Sequence, residues 1–222
     1  MDDGVTLVSL VATTLSRLLD AGLQRPPRLR CALTGGGPVP PALVRRARAA
    51  GVPLAQTYGM TEACSQITTQ APGDAQDDAG PPLFCTRVWA AADGEIHVAG
   101  PTVAGGELAT GDLGSLDGDR LTVTGRKAET IVSGGENVAP QEVEAVLAEH
   151  PAVVEAAVFG RPDPQWGEAV VAAVVLCAHV TEAQLREHCA GQLAGFKVPK
   201  AIAFVAELPR TPSGKLRRAA LK

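Results

Sequence analysis

Aromatic side chains are scarce in this chain of 222 residues, where they make up 3% of the total and Tyr58 is the single tyrosine. Apolar residues still reach 45%, so small aliphatic side chains must fill any core. No block of lysine and arginine is interleaved with aromatics, and the net charge is -4 at pH 7. These features argue against a nucleic acid partner.

The chain also lacks the patterns of a disulfide framework, a zinc site and a membrane anchor. Its five cysteines are odd in number and show no CxxC spacing, which indicates reduced thiols. No stretch is long enough to span a membrane. The first apolar run, 5–11, follows two aspartates where a signal peptide would carry positive charge. We therefore expect a cytoplasmic protein without a membrane span or a targeting segment.

The first seventy residues alternate between strand and helix patterns. Apolar periodicity and glycine stops predict a buried strand or helix start at 4–11, a helix at 12–21, a strand at 29–33, a helix at 41–50 and a strand at 52–56. This order is that of a parallel α/β layer, whose loops at the strand ends are available for a ligand.

Composition changes after an acidic loop at 72–82. Short strand patterns separated by Asp-Gly pairs at 93–94 and 117–118 predict a small antiparallel β subdomain up to Thr124. A second body follows residues 125–128, with a helix that begins at Pro140 and another at 181–194 that opens with a capping box.

The predicted fold class is therefore α/β and α+β. A truncated large N-terminal body, made of the α/β layer and the β subdomain, occupies residues 1–126. A mobile C-terminal α+β lobe of about three strands and two helices occupies residues 127–222.

Two glycine-bearing loops are candidates for ligand contact. Gly35, Gly36 and Gly37 follow a strand and let the backbone approach a flat or anionic ligand, although a plain strand-to-helix turn is the more frequent explanation of such a run. In the second loop, Tyr58 could stack on a purine and Thr61 could donate to a phosphate oxygen. Glu62 could hold Mg²⁺ together with phosphates, the alternative being a polar loop with a half-buried tyrosine.

Three further charged residues stand in informative places. Asp112 follows a Thr-Gly pair, where it either closes an Asx turn or accepts from a ribose diol. Arg126 could serve the same ribose or a phosphate, or form a surface ion pair. Lys215 ends a Pro/Gly/Ser loop, where it could stabilise a phosphoryl transition state or belong to a solvated basic tail.

Taken together these residues resemble a family, the adenylate-forming acyl-CoA synthetases of the ANL superfamily. Within it the run from Gln56 to Thr68 is most similar to the o-succinylbenzoate–CoA ligase subfamily of menaquinone biosynthesis. The resemblance covers nearly the whole chain and rests on six motifs that occur in the family's order: QTYGMTE (56–62), TGD (110–112), GRKAETIVSGGENVAPQEVE (125–144), DPQWGE (163–168), GFKVPK (195–200) and LPRTPSGKLRR (208–218).

The resemblance implies an acid–thiol ligase that uses ATP, Mg²⁺ and coenzyme A. A small-molecule carboxylate attacks the α-phosphate of ATP, the small lobe rotates, and the CoA thiol displaces AMP. The implied roles in the first body are Mg²⁺ binding for Glu62, phosphate binding for Thr61, adenine contact for Gly36, Gly37 and Tyr58, cofactor binding for Gly35 and Gly59, and ribose contact for Asp112 and Arg126. Those in the second body are adenylation for Lys215, the pantetheine channel for Gly134 and Gly135, and CoA contact for Trp166 and Phe196.

Two departures from the family pattern accompany the match. Ala128 stands at the hinge position, where members usually carry an acidic, basic or small polar residue, so control of the hinge should differ. The family's Ser/Thr/Gly-rich phosphate loop is not found in the chain, which therefore resembles the C-terminal part of such an enzyme.

Several functions remain open at this stage. Besides the CoA ligase, which could form a homodimer, the sequence is compatible with another acyl-CoA synthetase. It is also compatible with adenylation for a carrier-protein thiol, or with a non-catalytic nucleotide- or CoA-binding remnant.

Overall fold

The structure is a computed structural model that describes residues 4–211 and 216–221. It divides into two compact units, residues 1–124 and residues 125–222. The boundary lies two residues before the one predicted from the sequence. The fold class is the predicted one, with mixed α/β and α+β architecture.

The first unit begins with a four-stranded sheet of order β1-β2-β3-β4. Strands β1, β2 and β3 run parallel, and β4 pairs antiparallel with β3. The elements are β1 (Leu7–Leu10), α1 (Ala12–Asp20), β2 (Cys31–Thr34), α2 (Pro41–Ala49), β3 (Leu54–Met60) and β4 (Ser65–Thr69).

The two helices pack through one apolar stripe each. Leu15 and Leu19 of α1 and Val44 and Ala47 of α2 are buried in the same cluster as residues of β1 to β3. These positions recur three or four residues apart, which is the spacing of one helix face. Pro41 stands at the first helical position, where its missing N–H costs no hydrogen bond.

Two expectations for this sheet are corrected. The strand predicted as buried, β1, is mostly exposed, and 64% of Leu7 is accessible. Its register pairs it with β2 alone, so within the described residues it is an edge strand. Strand β3 extends to Met60, so Tyr58 lies in a strand rather than in a loop.

The rest of the first unit is an antiparallel sheet of order β5-β6-β7-β8. Its strands contribute Ile96, Val98 and Leu121, which are fully buried in the core of this part of the unit. The Asp-Gly pairs predicted as turns at 93–94 and 117–118 do separate successive strands. The strands are β5 (Arg87–Ala90), β6 (Glu95–Ala99), β7 (Glu107–Asp117) and β8 (Arg120–Arg126).

Arg120 fixes the acidic loop that joins the two sheets of this unit. Its Nε donates to Asp78 Oδ2 at 2.6 Å, and its Nη2 donates to Asp74 Oδ2 at 2.8 Å. A hydrogen bond from the Gln76 amide, helped by Arg120, holds the pKa of Asp74 below its usual value. Burial alone would raise the pKa of Asp78, but hydrogen bonds from Arg120 and the Gly80 amide outweigh it and lower that pKa.

We expect this cluster to stabilise the first unit at neutral pH and to lose that effect in acid. Because both folded pKa values lie below the ordinary 3.8, the contribution is complete above that value and disappears as the pH falls through the folded values. Arg120→Gln should cost about 1–2 kcal/mol at pH 7 and clearly less at pH 3. Urea unfolding followed by Trp89 fluorescence, in a Trp166→Phe background, measures both costs.

The control for this prediction is Arg30→Gln, which removes an exposed arginine of the same unit whose side chain forms no ion pair with the described residues. Its cost should be small and independent of pH. An Arg120→Gln cost that is equal at pH 3 and pH 7 would contradict the prediction.

The second unit is an α+β lobe built on a five-stranded sheet. Its order is β10-β9-β12-β11, and β13 pairs parallel with β12. More strands are present than the three or so predicted. The elements are β9 (Ile131–Ser133), β10 (Glu136–Val138), α3 (Pro140–Ala148), β11 (Val153–Asp163), β12 (Gly167–Leu176), α4 (Glu182–Ala190) and β13 (Ala201–Phe204).

Helix α4 starts at the predicted capping box. The Gln184 amide donates to Thr181 Oγ1, and the Thr181 amide donates to Gln184 Oε1. The helix ends at Ala190, four residues before the predicted end. Helices α3 and α4 bury Val143, Leu147 and Leu185 in the core of this unit, which is distinct from the cluster that holds Leu15.

None of the helices in residues 4–211 and 216–221 has both the length and the apolar composition needed to cross a lipid bilayer.

Candidate functional site

The glycine loop follows β2 and lies against the neighbouring strand. A Cβ on Gly35 would stand 2.6 Å from Thr57 Cγ2 and 2.9 Å from Thr57 O, so only glycine fits there. Gly36 has a φ of +81°, which is the left-handed region that favours glycine. Gly37 is exposed and has no atom within 4 Å of an added Cβ. The backbone is therefore accessible at the carboxyl end of a parallel strand, where ligands bind in such sheets.

Tyr58 and Asp112 come together although 54 residues separate them. The Tyr58 hydroxyl donates to Asp112 Oδ2 at 2.9 Å, and only 5% of Asp112 is accessible. This contact joins two of the predicted site motifs, one on β3 and one on β7. It orients the carboxylate and fixes the position of the aromatic ring.

Asp112 lies inside strand β7, not in a turn after a strand as the sequence had indicated. Gly111 takes a φ of +71° just before it, and its amide donates to Glu95 Oε1 at 3.0 Å. The Asp112 amide donates to Thr110 Oγ1 at 3.1 Å. A local distortion of the strand at Gly111 thus accompanies the placement of the buried carboxylate.

Gly59 is required by packing. A Cβ there would lie 1.7 Å from Ser65 O, a backbone atom of the paired strand β4. The β3–β4 register shifts between Tyr58 and Gly59, which marks a bulge at this point. The close approach of the two backbones explains this glycine whether or not it also contacts a ligand.

Thr61 and Glu62 form a short 3-10 turn directly after β3, and both are exposed. The backbone carbonyl of Glu62 accepts from the Ala104 amide at 2.8 Å, which ties the turn to the loop between β6 and β7. Within the described residues no cluster of three or more His, Cys, Asp or Glu side chains could hold a metal ion. A single exposed carboxylate nevertheless fits Mg²⁺, which commonly takes one or two carboxylates and completes its shell with phosphate oxygens and water.

The hinge segment, 127–129, is named for the hinge position predicted at Ala128 and lies near the start of the second unit. Arg126 ends β8, and Lys127–Glu129 form a 3-10 turn in which Ala128 is exposed. Gly125 is buried, and a Cβ there would stand 2.6 Å from Gln141 Oε1. The entry to this segment therefore packs on the first turn of α3.

Gly134 and Gly135 form the turn between β9 and β10, with φ values of +62° and +86°. The Gly134 amide donates to Trp166 O at 2.8 Å, and a Cβ on Gly134 would lie 3.0 Å from the indole ring. Nothing lies within 4 Å of a Cβ on Gly135. The structure thus brings the double glycine and Trp166 together, with open space beside Gly135.

Trp166 and Phe196 are both half-buried. The Lys200 ammonium lies 4.8 Å from the centroid of the Trp166 ring, and the Lys197 ammonium lies 5.7 Å from that of Phe196. Lys197 also donates to Glu142 Oε1 at 2.6 Å. Each aromatic residue therefore has a cation beside it.

The remaining predicted residue, Lys215, lies outside the described residues. Sequence reasoning missed a hydrogen-bonded group made of Arg218, Glu129, Gln141 and Glu144. Arg218 of this group follows Lys215 closely in the sequence. The spacing of Gln141 and Glu144, three residues apart on a predicted helix, was the available signal.

The fold and these motifs are those of the AMP-binding enzyme family. Residues 2–110 match the family described as "AMP-binding enzyme", and residues 142–215 match the "AMP-binding enzyme C-terminal domain". The chain belongs to this family, and the membership predicted from the motif order is confirmed.

Its relatives carry a consistent name. The chain is 43% identical to 2-succinylbenzoate–CoA ligase of Bacillus licheniformis, over 98% of this chain and 51% of that protein. It is 41% identical to the enzyme of the same name from Bacillus subtilis, again over 98% and 51%. The chain thus spans about half the length of the curated relatives it matches.

Solved structures agree with this assignment. The o-succinylbenzoate CoA synthetase of Bacillus subtilis in complex with the acyl-adenylate intermediate OSB-AMP superimposes with a TM-score of 0.90 at 40% identity, over 99% of this chain and 51% of that one. The amide bond synthetase McbA of Marinactinospora thermotolerans also gives a TM-score of 0.90, at 32% identity over 98% and 51%.

Proposed function

We propose that the protein carrying this chain is an acid–thiol ligase that activates o-succinylbenzoate with MgATP and transfers the acyl group to coenzyme A, a step of menaquinone biosynthesis. The observation that carries the proposal is the hydrogen bond from Tyr58 to Asp112, because it brings together two distant motifs to which we assign contacts with the adenine and the ribose. The names of the relatives supply the substrate.

The first unit, which we propose as the C-terminal part of the large AMP-binding domain, supplies the nucleotide contacts. Gly35, Gly36 and Gly37 present backbone to the adenine, and the Tyr58 ring covers it. The oriented Asp112 carboxylate accepts the ribose hydroxyls. Thr61 donates to phosphate, and Glu62 holds the magnesium ion, which neutralises charge on the phosphates.

The second unit, which we propose as the small C-terminal lobe, supplies the remaining groups. Arg126 serves the ribose, and Lys215 stabilises the developing negative charge during adenylation. Gly134 and Gly135 admit the pantetheine arm of CoA, and Trp166 and Phe196 contact the rest of that molecule. The five free thiols accord with a cytoplasmic location. A homodimer stays a prediction.

Nucleotide binding tests the proposal directly. Asp112→Asn should weaken AMP binding by about tenfold or more, since hydrogen bonds to a charged group are worth about 1.5–3 kcal/mol. Calorimetric titration of this chain with AMP measures the change. Asp117→Asn is the matched control, because Asp117 is exposed at the end of the same strand, and its affinity should equal that of the unsubstituted chain.

Two results would count against the proposal. One is equal AMP affinity for the Asp112→Asn variant and the unsubstituted chain. The other is the absence of o-succinylbenzoate-dependent pyrophosphate release when the chain is joined to the part of the Bacillus subtilis relative that it does not match. Activity with another carboxylate but not with o-succinylbenzoate would favour another acyl-CoA synthetase.

A further inference from the structure

Arg218 connects two segments of the second unit that are far apart in sequence. Its Nη1 donates to Glu129 Oε2 at 2.6 Å, in the hinge segment. Its Nη2 donates to Glu144 Oε2 at 2.8 Å, on the buried side of α3. Only 15% of the Arg218 side chain and 17% of the Glu144 side chain are accessible. The pair with Glu144 is thus largely removed from solvent, where its partners are costly to separate, whereas 31% of the Glu129 side chain is accessible.

The same carboxylates bind further groups. Glu129 Oε2 also accepts from Gln141 Nε2 at 3.0 Å, and Glu144 Oε1 accepts from the Val158 amide at 2.7 Å. Burial raises the pKa of Glu144, and the charge of Arg218 opposes that rise. Loss of Arg218 would leave a buried carboxylate without its cation.

The residues around Arg218 form a fixed base for the chain that precedes it. Leu216 pairs with Arg210 in an antiparallel bridge, and the Arg217 amide donates to Pro209 O at 2.8 Å. Leu216 packs against a buried cluster that includes Phe159 and Val171. Leu216 follows Lys215 directly in sequence, so the residue to which that lysine is bonded is held in place by these contacts.

We propose that Arg218 is a positioning residue that clasps the hinge segment 127–129 and the segment 216–218 to helix α3. The two segments then move as one body with that helix. This arrangement keeps Leu216, which follows Lys215, at a constant distance from Glu129 at the end of the hinge segment. Its catalytic consequence rests on the proposed function, but the clasp itself does not.

Hydrogen exchange of backbone amides in the whole chain tests the clasp. The Thr130 amide reports the hinge, where it donates to Lys127 O, and the amides of Ala220 and Leu221 report the C-terminal segment. Arg218→Gln should speed exchange at both places by about tenfold or more. Glu129→Gln should speed it at Thr130 alone, since Arg218 keeps Glu144. Arg218→Lys retains the charge but not the planar guanidinium that donates to two carboxylates at once, so it should give intermediate exchange rates.

Two comparisons distinguish a local effect of Arg218 on the two segments from a general loss of stability in the second unit. Arg217→Gln removes the adjacent exposed arginine and should leave all these rates within about twofold. Exchange in the centre of β12, at 170–174, should stay unchanged in every variant. Unchanged Thr130 exchange in Arg218→Gln would overturn the proposal, and so would an equal rise at Thr130 and in β12.

The catalytic consequence is measured separately in the protein active for adenylation. Arg218→Gln should lower kcat for pyrophosphate release by about tenfold or more and leave the KM for ATP within about twofold, because it misplaces a group without removing a nucleotide contact. An unchanged kcat would overturn the positioning role. An unsubstituted protein without activity would count against the proposed function alone, and the exchange rates would still decide the clasp.

Discussion

Lys215→Ala is expected to slow adenylation by about 10²–10³-fold and to spare thioester formation from preformed acyl-adenylate. A single preorganised charge at a transition state is typically worth that much in rate. The lysine serves one step only because, in the proposed function, the small lobe rotates between the two half-reactions and carries Lys215 away from the reacting atoms before the thiol displaces AMP. The measurement is pyrophosphate release and CoA thioester formation, assayed separately in the chain joined to the unmatched part of its Bacillus subtilis relative.

Arg217→Ala is the matched control for this experiment. It removes an exposed cation two residues away, so it alters the local net charge by the same amount. Both half-reactions should then keep their rates within about twofold. If Lys215→Ala slows both half-reactions equally, the assignment of the lysine to one step is wrong.

The largest expected effect on stability is that of Gly59→Ala. The added Cβ would stand 1.7 Å from Ser65 O and 2.8 Å from Gln66 Cα. Because both are backbone atoms, no change of a side-chain rotamer relieves the clash and the β3–β4 pair must separate locally. We expect a loss of about 3 kcal/mol or more in the free energy of unfolding of the first unit.

Gly37→Ala provides the comparison, since it adds the same methyl group where nothing lies within 4 Å and φ is not positive. Its effect should stay within about 0.5 kcal/mol. Urea unfolding, followed by Trp89 fluorescence in the Trp166→Phe background, measures both variants. A cost for Gly59→Ala as small as that for Gly37→Ala would refute the steric account.

Local signals predicted the helices well. Ala12–Asp20 and Pro41–Ala49 begin at the predicted residues, because leucine spacing, prolines and glycine stops act within a few residues. Helix α4 was predicted through its capping box, which is also a local pattern. Its end was predicted four residues too late, although Gly191, a residue type that commonly ends helices, caps the helix directly after Ala190.

Strand ends were predicted less well because pairing partners decide them. Strand β4 was missed. Strand β3 was predicted to end four residues too early, because residues Thr57–Met60 become part of the strand only by pairing with 65–69. The same holds for β7, which passes through Gly111 and Asp112 despite the positive φ of the glycine. Exposure of β1 likewise depends on which strands flank it.

For the candidate site, motifs identified residues but not their contacts. The bond between Tyr58 and Asp112 and the clasp at Arg218 join residues 54, 74 and 89 positions apart, which no local spacing encodes. Individual glycines also needed coordinates. Gly35 and Gly59 are enforced by backbone contacts, Gly135 is favoured by its φ of +86°, and Gly37 has room for a side chain.

Separate cores in the two units also bear on how such proteins diversify. Val143 and Leu147 pack in one cluster, and Leu15 and Leu19 pack in another. A genetic crossover between related enzymes at Thr124 would therefore inherit each cluster entire from a single parent. Recombination at that point should preserve the packing inside both parts, whereas a crossover within β11 or β3 would mix side chains that have never been selected together.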